Sequence, residues 1–570
     1  MNTSEARYGG GVTLLLFVFI FLPLLAVLIN VIFPGLFFGQ IQSSSLGLIG
    51  DIFHRPLWKQ SLLNSVTLAL GTATFGTILG GVLATIRARW NFATARLLDM
   101  TAWVLLIAPS FMIAQGWVLF ASADGLVHQW LGLTWVTSFI FQPAGLVFVM
   151  SLSKFPLAYL AIMAASEWNI RQFGYAARLN GARPFTVWRT VELPLALPSY
   201  VAGWTLVFMD SIGDFGLPAA LATVYKFPTL TYSIYSAIYQ SPVRFDMAGV
   251  LAFYLVLILV LAMTLLMVTL RKSRFDFLNA RAVKMEKVKP RFAWMYNLSI
   301  TVFLFLSLGI PIGTSAAVSL LKQAGGGLNP GNFTLDHYRE LFAGQAGDHR
   351  LLGYLEGMYH SLAIAAAAAL FSMLIGFVVA YMLTFTESRL KPMLQLFSII
   401  SLAVPGVVLG IGYIFIWNQK WLEPLGLHLY GTPSLLVIAG IAGAIPYAVR
   451  VQLGAFGNLS GTMLKAAAIQ GASIFERMRD IVLPMVRQSL LIAILASFGT
   501  SVFDLALASM LKPANYSLMP LVIDRAFEFS RYGYATAATV VSCGTVVLII
   551  VLLQAAGRLV FRWLDGNRMR

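Results

Sequence analysis

At 570 residues the chain is long enough for roughly four soluble domains of about 150 residues each, but its composition excludes that organisation. Apolar residues make up 59% of it and charged residues only 11%, against roughly 25% charged in an average soluble chain. The 41 Phe and 13 Trp need burial, and the 48 Gly follow no triplet period, which excludes a disordered or a fibrous chain. A polytopic membrane protein remains, and its net charge of +16 is read as basic cytoplasmic loops and not as a nucleic-acid surface.

A helix needs about 20 apolar residues to cross a bilayer core. Taken in order, the apolar runs predict twelve spans: 12–33, 61–86, 99–122, 142–164, 196–216, 247–270, 294–320, 359–384, 394–417, 432–452, 486–510 and 536–562. The first has no clear small-residue cleavage site and is expected to be a retained helix. With twelve spans both termini fall on one side, which carries 27 Lys and Arg against 11 on the other, with Lys154 left inside a span. The excess of basic residues assigns the first side, and both termini, to the cytoplasm. Residues 271–293 form the longest polar cytoplasmic stretch and are expected to be a linker between residues 1–270 and 294–570.

Those two segments repeat one another. Ser65 aligns with Ser361, Gly80 with Gly376, Pro109 with Pro405 and Gly116 with Gly412, all at an offset of 296. Further on the offset becomes 290, and Pro156 aligns with Pro446, Gly181 with Gly471, Pro194 with Pro484 and Asp214 with Asp504. Each copy holds six spans and starts on the same side. The expected architecture is therefore an all-α membrane protein of twelve transmembrane helices in two parallel six-helix repeats, related by an axis along the membrane normal.

Between the fourth and fifth spans of each copy lies a loop too polar to cross lipid, at 168–194 and 458–484. One reads YAARLNGARPFTVWRTVELP from Tyr175 to Pro194, and the other KAAAIQGASIFERMRDIVLP from Lys465 to Pro484. In both, an Ala pair precedes a Gly by four residues, and Leu-Pro follows twelve and thirteen residues after it. Small Ala side chains leave a flat helical face, Gly permits a tight turn, and Leu-Pro marks re-entry into the membrane because proline cannot continue a helix already begun.

This spacing resembles the EAA motif of binding-protein-dependent ABC importer permeases, and its occurrence twice in one chain resembles the fused permeases of ferric-iron-type importers. The resemblance covers residues 55–560 and implies a type I (MetI-like) permease fold. It also implies that each loop is a coupling helix received by a cytoplasmic ATPase, with Tyr175, Ala176, Ala177, Gly181 and Pro194 in one copy and Lys465, Ala466, Ala467, Gly471 and Pro484 in the other as the corresponding positions. The chain departs from the motif where Tyr175 and Lys465 stand in place of its Glu. A groove that receives the helix by shape accepts both, with Arg178 and Arg183 at hand.

Ionisable groups inside spans are costly and are read as functional by default. Asp210, Asp214 and Asp504 fall in or at the ends of the fifth and eleventh spans, either as a cation-attracting pathway or as solvated helix-end acids. Lys154 lies mid-span with Ala444 at its repeat equivalent, and either pairs with a buried acid such as Asp210 or contacts an anionic cargo. The DFG run at 214–216 resembles ferric-iron-type permeases as well. External segments 34–60, 217–246, 321–358 and 511–535 are expected to receive a solute-loaded binding protein.

The chain contains no GxxxxGK[ST] phosphate loop, no HExxH and no GxSxG, and its one cysteine, Cys543, is read as a packing residue. The expectation is a non-enzymatic, multi-pass permease of a bacterial inner membrane, without a cofactor of its own. Two copies of an ATPase using ATP and Mg, a periplasmic or extracellular binding protein and the lipid bilayer are its implied partners. Ferric iron is the first candidate solute, with thiamine, phosphonate, polyamine and sulfate-like solutes as alternatives. The rival from another class is a secondary transporter driven by an ion gradient.

Overall fold

The structure, a computed structural model, describes residues 3–38, 47–166, 170–272, 287–327, 329–343, 353–386, 389–457 and 459–568. Most of the expected linker (273–286), the first residues of both polar loops (168, 169 and 458) and parts of external segments 34–60 and 321–358 lie outside the described residues. Among the described residues the regular structure is helical, with two isolated bridges, Trp90 to Val288 and Leu321 to Phe333, and no strand.

Among the described residues, eleven helices are long and apolar enough to cross a membrane. The ninth expected span, 394–417, is instead two shorter helices, Lys391–Ala403 and Gly406–Trp417. Pro405 lies at the break, lacking an N–H and pushing its predecessor out of the helical region. The third expected span is broken in the same way by Pro109, between Ala95–Ile107 and Ser110–Ala121, with Ala108 extended at φ −62°, ψ 133°. Counting the broken ninth pair as one crossing restores twelve.

The chain forms two compact units. One holds residues 27–314 and 403–411. In it Pro56–Arg89 runs along Pro143–Ser166 and Leu193–Gly213, and Ala293–Leu304 is held by Asn297, whose Oδ1 accepts from the Thr94 N–H and hydroxyl at 3.1 Å. Phe303 meets Phe155 edge-on at 4.9 Å between centroids. The other unit holds residues 1–26, 315–402 and 412–570. There Tyr354–Phe385 runs along Pro433–Phe456 and Leu483–Val502, and the Tyr413 hydroxyl donates to the Phe19 carbonyl at 2.7 Å.

The compact units are therefore not coextensive with the sequence repeats: residues 1–26, which open the first repeat, belong to the unit built mainly from the second, and residues 294–314, which open the second, belong to the unit built mainly from the first. The same device admits the opening helix in both places. A Cβ on Gly116 would stand 2.5 Å from the Pro311 carbonyl oxygen, and one on Gly412 would stand 2.4 Å from that of Pro23. Only glycine tolerates such backbone contact. Both opening helices also widen into a π turn, at Phe17–Phe21 and at Phe305–Gly309, an offset of 288 that extends the repeat to the first span.

Ser65 and Ser361 have matching tasks. Each hydroxyl accepts the N–H of the first residue of a short helix, Leu230 at 2.7 Å and Met519 at 2.9 Å. These serines fasten Leu230–Tyr239 and Met519–Glu528 to the long helices beneath them.

Candidate functional site: two matching elbows and a charged cluster

The first polar loop folds as Ile170–Leu179, a turn, and Pro184–Val187, continuing through a π turn (Trp188–Glu192) into Leu193–Gly213. The second follows the same path through Gly461–Ile469, Ile474–Glu476, a π turn (Arg477–Val482) and Leu483–Val502. Leu-Pro does not break either helix, contrary to expectation. Pro194 and Pro484 sit at the first positions of their helices, and the π turns just before them absorb the missing N–H and the ring's clash with the preceding turn.

The two turns close identically. Gly181 N–H donates to the Arg178 carbonyl at 2.9 Å and Ala182 N–H to that of Ala177 at 3.1 Å. Gly471 N–H donates to Ala468 at 3.1 Å and Ala472 N–H to Ala467 at 3.0 Å. This pair of bonds is the Schellman closure, and it requires a left-handed residue after the helix, which Gly181 (φ +84°) and Gly471 (φ +88°) supply. Asn180 and Gln470 donate to Ala176 and Ala466, both at 3.2 Å. The Ala pair thus supplies two of the three accepting carbonyls at each turn.

Beyond the motif residues, the large apolar side chains most exposed on each elbow form an equivalent pair. Leu179 is 89% exposed and Ile469 84%; Phe185 is 67% exposed and Phe475 57%. All four stand at equivalent positions, offset by 290. Tyr175 is also exposed. The motif does not point to these side chains; their shared offset within polar loops is the signal that finds them. The second elbow adds a capping box, in which Ser473 Oγ accepts the Glu476 N–H at 3.2 Å and Glu476 Oε2 accepts the Ser473 N–H at 2.7 Å.

At the opposite ends of the fifth and eleventh spans, Asp214 and Asp504 lie in helix breaks and not inside spans. The fifth helix ends at Gly213 and the eleventh at Val502. Each carboxylate caps the next short helix three residues on: Asp214 Oδ1 accepts the Leu217 N–H at 3.2 Å, and Asp504 Oδ1 accepts that of Leu507 at 2.9 Å. Capping of this kind satisfies N–H groups that a helix start leaves bare.

Their surroundings differ. Lys154 Nζ lies 2.6 Å from Asp210 Oδ2 and 2.7 Å from Asp214 Oδ2, and Ser110, just after the Pro109 break, donates to Asp214 Oδ1 at 2.8 Å. Asp504, with Ala444 where Lys154 would stand, has no ion pair among the described residues. Lys154 is thus placed between two carboxylates, and no group of three or more His, Cys, Asp or Glu among the described residues is arranged to hold a metal ion.

In the segment expected to be external, Asp524 is half-buried on Met519–Glu528. Burial, reinforced by the neighbouring Glu528 and opposed by Arg525, pushes its carboxyl up to about 7.

Long apolar helices, an internal repeat and twin elbows define the class of a duplicated helical permease. Residues 372–565 match the family model described as binding-protein-dependent transport system inner membrane component. The ferric transport system permease protein FbpB of Actinobacillus pleuropneumoniae is 21% identical over 98% of this chain and 77% of its own length. The molybdenum transport system permease protein ModB of Escherichia coli K12 is 30% identical over 33% of this chain and 81% of its own. A putative 2-aminoethylphosphonate transport system permease protein, PhnV of Salmonella typhimurium, is 25% identical over 44% of this chain and 89% of its own. The chain belongs to the binding-protein-dependent inner membrane components, as a fused type I ABC importer permease of the ferric-type family. It is a multi-pass inner membrane transport subunit.

Proposed function

We propose that this permease imports ferric iron, released to it by a binding protein on the outer side and driven inward by two copies of a separate cytoplasmic ATPase that use ATP and Mg. Both termini and both elbows face the cytoplasm in this reading. The observation that carries it is the twofold recurrence of one elbow: the same Schellman closure and the same exposed apolar pair, Leu179 with Phe185 and Ile469 with Phe475. Large apolar side chains left bare on otherwise polar loops mark a surface that another protein covers. Two matching surfaces call for two matching partners.

In this account Tyr175, Ala176, Ala177, Gly181 and Pro194, with Lys465, Ala466, Ala467, Gly471 and Pro484, shape the two coupling elbows. ATPase closure favours one conformation of the permease by the difference in its affinity for the two. The absence of Glu at Tyr175 and Lys465 is tolerated because docking rests on apolar fit.

Asp210, Asp214, Asp504 and Lys154 flank the solute route. Two carboxylates outnumber one ammonium in one unit and Asp504 has no ion pair among the described residues of the other, so each contribution is net negative and favours a cation over molybdate- or phosphonate-like anions. FbpB, named for ferric transport, also matches nearly the whole chain. Reconstitution with the cognate ATPase and binding protein tests the reading. Radiolabelled ferric ion should accumulate only with hydrolysable ATP, and uptake driven by an ion gradient alone would replace this account with a secondary transporter.

A further inference from the structure

The two elbows are fastened to their own repeats by opposite chemistry. In the first, Glu192 in the π turn pairs with Arg89, the last residue of Pro56–Arg89. Gly174 on the elbow's first helix makes room for this pair: a Cβ there would stand 2.7 Å from Glu192 Oε1. At the repeat equivalents of Arg89, Gly174 and Glu192 the second copy has Phe385, Leu464 and Val482. Leu464 and Val482 are buried, and Phe385 stacks on Phe456 at 5.9 Å. A charged pair threaded past a glycine in one copy is an all-apolar set in the other, so three positions have changed together.

Pro56–Arg89 is one unbroken helix of 34 residues. A tie at its last residue therefore connects the elbow directly to the length of a membrane span. Beside the tie lies a cavity of about 220 Å³ bounded by Tyr175 and Arg178 of the elbow and by Trp90 and Val288. This space lets the elbow swivel when the tie is cut. Arg89 is about one-third exposed and Glu192 about one-eighth, so the pair's contribution to overall stability is small. Its directional hold on the elbow is what a bidirectional lever needs.

Building on the coupling role proposed above, we infer that Arg89 and Glu192 are positioning residues that transmit motion of the first elbow to Pro56–Arg89, and that Gly174 is glycine to let them meet. Phe385, Leu464 and Val482 perform the same task in the second repeat by apolar packing.

The test measures solute imported per ATP hydrolysed by the full complex in proteoliposomes, alongside ATPase co-purification. Glu192→Val and Gly174→Ala should each lower the import-to-hydrolysis ratio by at least about fivefold, the low end of site-to-site coupling, while the ATPase still co-purifies. The triple variant R89F/G174L/E192V, which installs the second repeat's set, should restore the ratio to near that of the unchanged protein, and so should the swap R89E/E192R. An unchanged ratio in Glu192→Val and Gly174→Ala, or a triple variant as uncoupled as the single ones, would overturn the inference. Loss of ATPase binding by Glu192→Val alone would make Glu192 a docking residue and would equally overturn it. Should the unchanged protein fail to retain an ATPase at all, the coupling reading itself falls, which separates the two failures.

Discussion

Gly181 and Gly471, 290 residues apart, hold the same left-handed backbone at φ +84° and +88°. Neither is crowded, since a Cβ at either position would meet nothing within 4 Å. Glycine is required at both for the dihedral alone, which costs other residues about 1–2 kcal/mol. The conformation lets Ala177 and Ala467 accept the closing hydrogen bonds and sets the angle at which the helices leave each turn.

The exposed pairs beside these glycines should bind without stabilising. Leu179→Ser and Ile469→Ser are surface changes, expected to move permease stability by no more than about 0.5 kcal/mol. Each should weaken ATPase association by about 10- to 100-fold, the loss of about 1.5–3 kcal/mol that burying a leucine or isoleucine supplies. Unfolding midpoints of the purified permease and titration with the ATPase separate the two quantities. Unchanged affinity would remove these side chains from the interface.

Lys154 neutralises Asp214, whose side chain is almost wholly buried. Lys154→Met strands that carboxylate and should destabilise the permease by about 3 kcal/mol, the scale for breaking a buried pair from one side. The double variant K154M/D214N should recover a large part of the loss. Thermal unfolding of the detergent-solubilised protein reads both, and a single variant as stable as the unchanged protein would contradict the ion pair's role.

Asp524 supplies a pH dependence. Its folded-state carboxyl, pushed up to about 7 by burial, binds a proton more tightly than the unfolded value near 4 allows. Stability contributed by that proton is fully present below about pH 4 and is lost as pH rises through 7. Asp524→Asn should therefore raise the unfolding temperature at pH 8 and leave it nearly unchanged at pH 4. A gain that is the same at both pH values would show that Asp524 is not the group responsible.

The repeat was legible because its anchors are residues with few substitutes: glycines where backbones touch, prolines where helices break, and serines that hold a free N–H. Apolarity found the spans but passed over their breaks. Pro109 and Pro405 barely alter the hydropathy of a twenty-residue window, yet each divides a helix in two. The π turns left no trace either, since Phe17–Phe21 and Phe305–Gly309 are as apolar as any helix turn. Asp214 and Asp504 looked intramembrane because the helix ends just before each cannot be read from composition. Lys154 suggested an acid partner, but a second one at Asp214 depends on the chain turning back at Gly213. Exchange of the opening helices between compact units follows from packing, which the order of spans along the chain does not encode.

ATPase association of the paired elbow variant Gly181→Val with Gly471→Val tests the central claim most directly. Valine, β-branched, resists the left-handed region more than most residues, and its Cβ would meet nothing within 4 Å at either position. A double variant that inserts and folds as the unchanged protein does, yet no longer retains the ATPase and no longer imports solute on ATP, is the predicted result. Full retention of the ATPase and ATP-driven import by that variant would contradict the account.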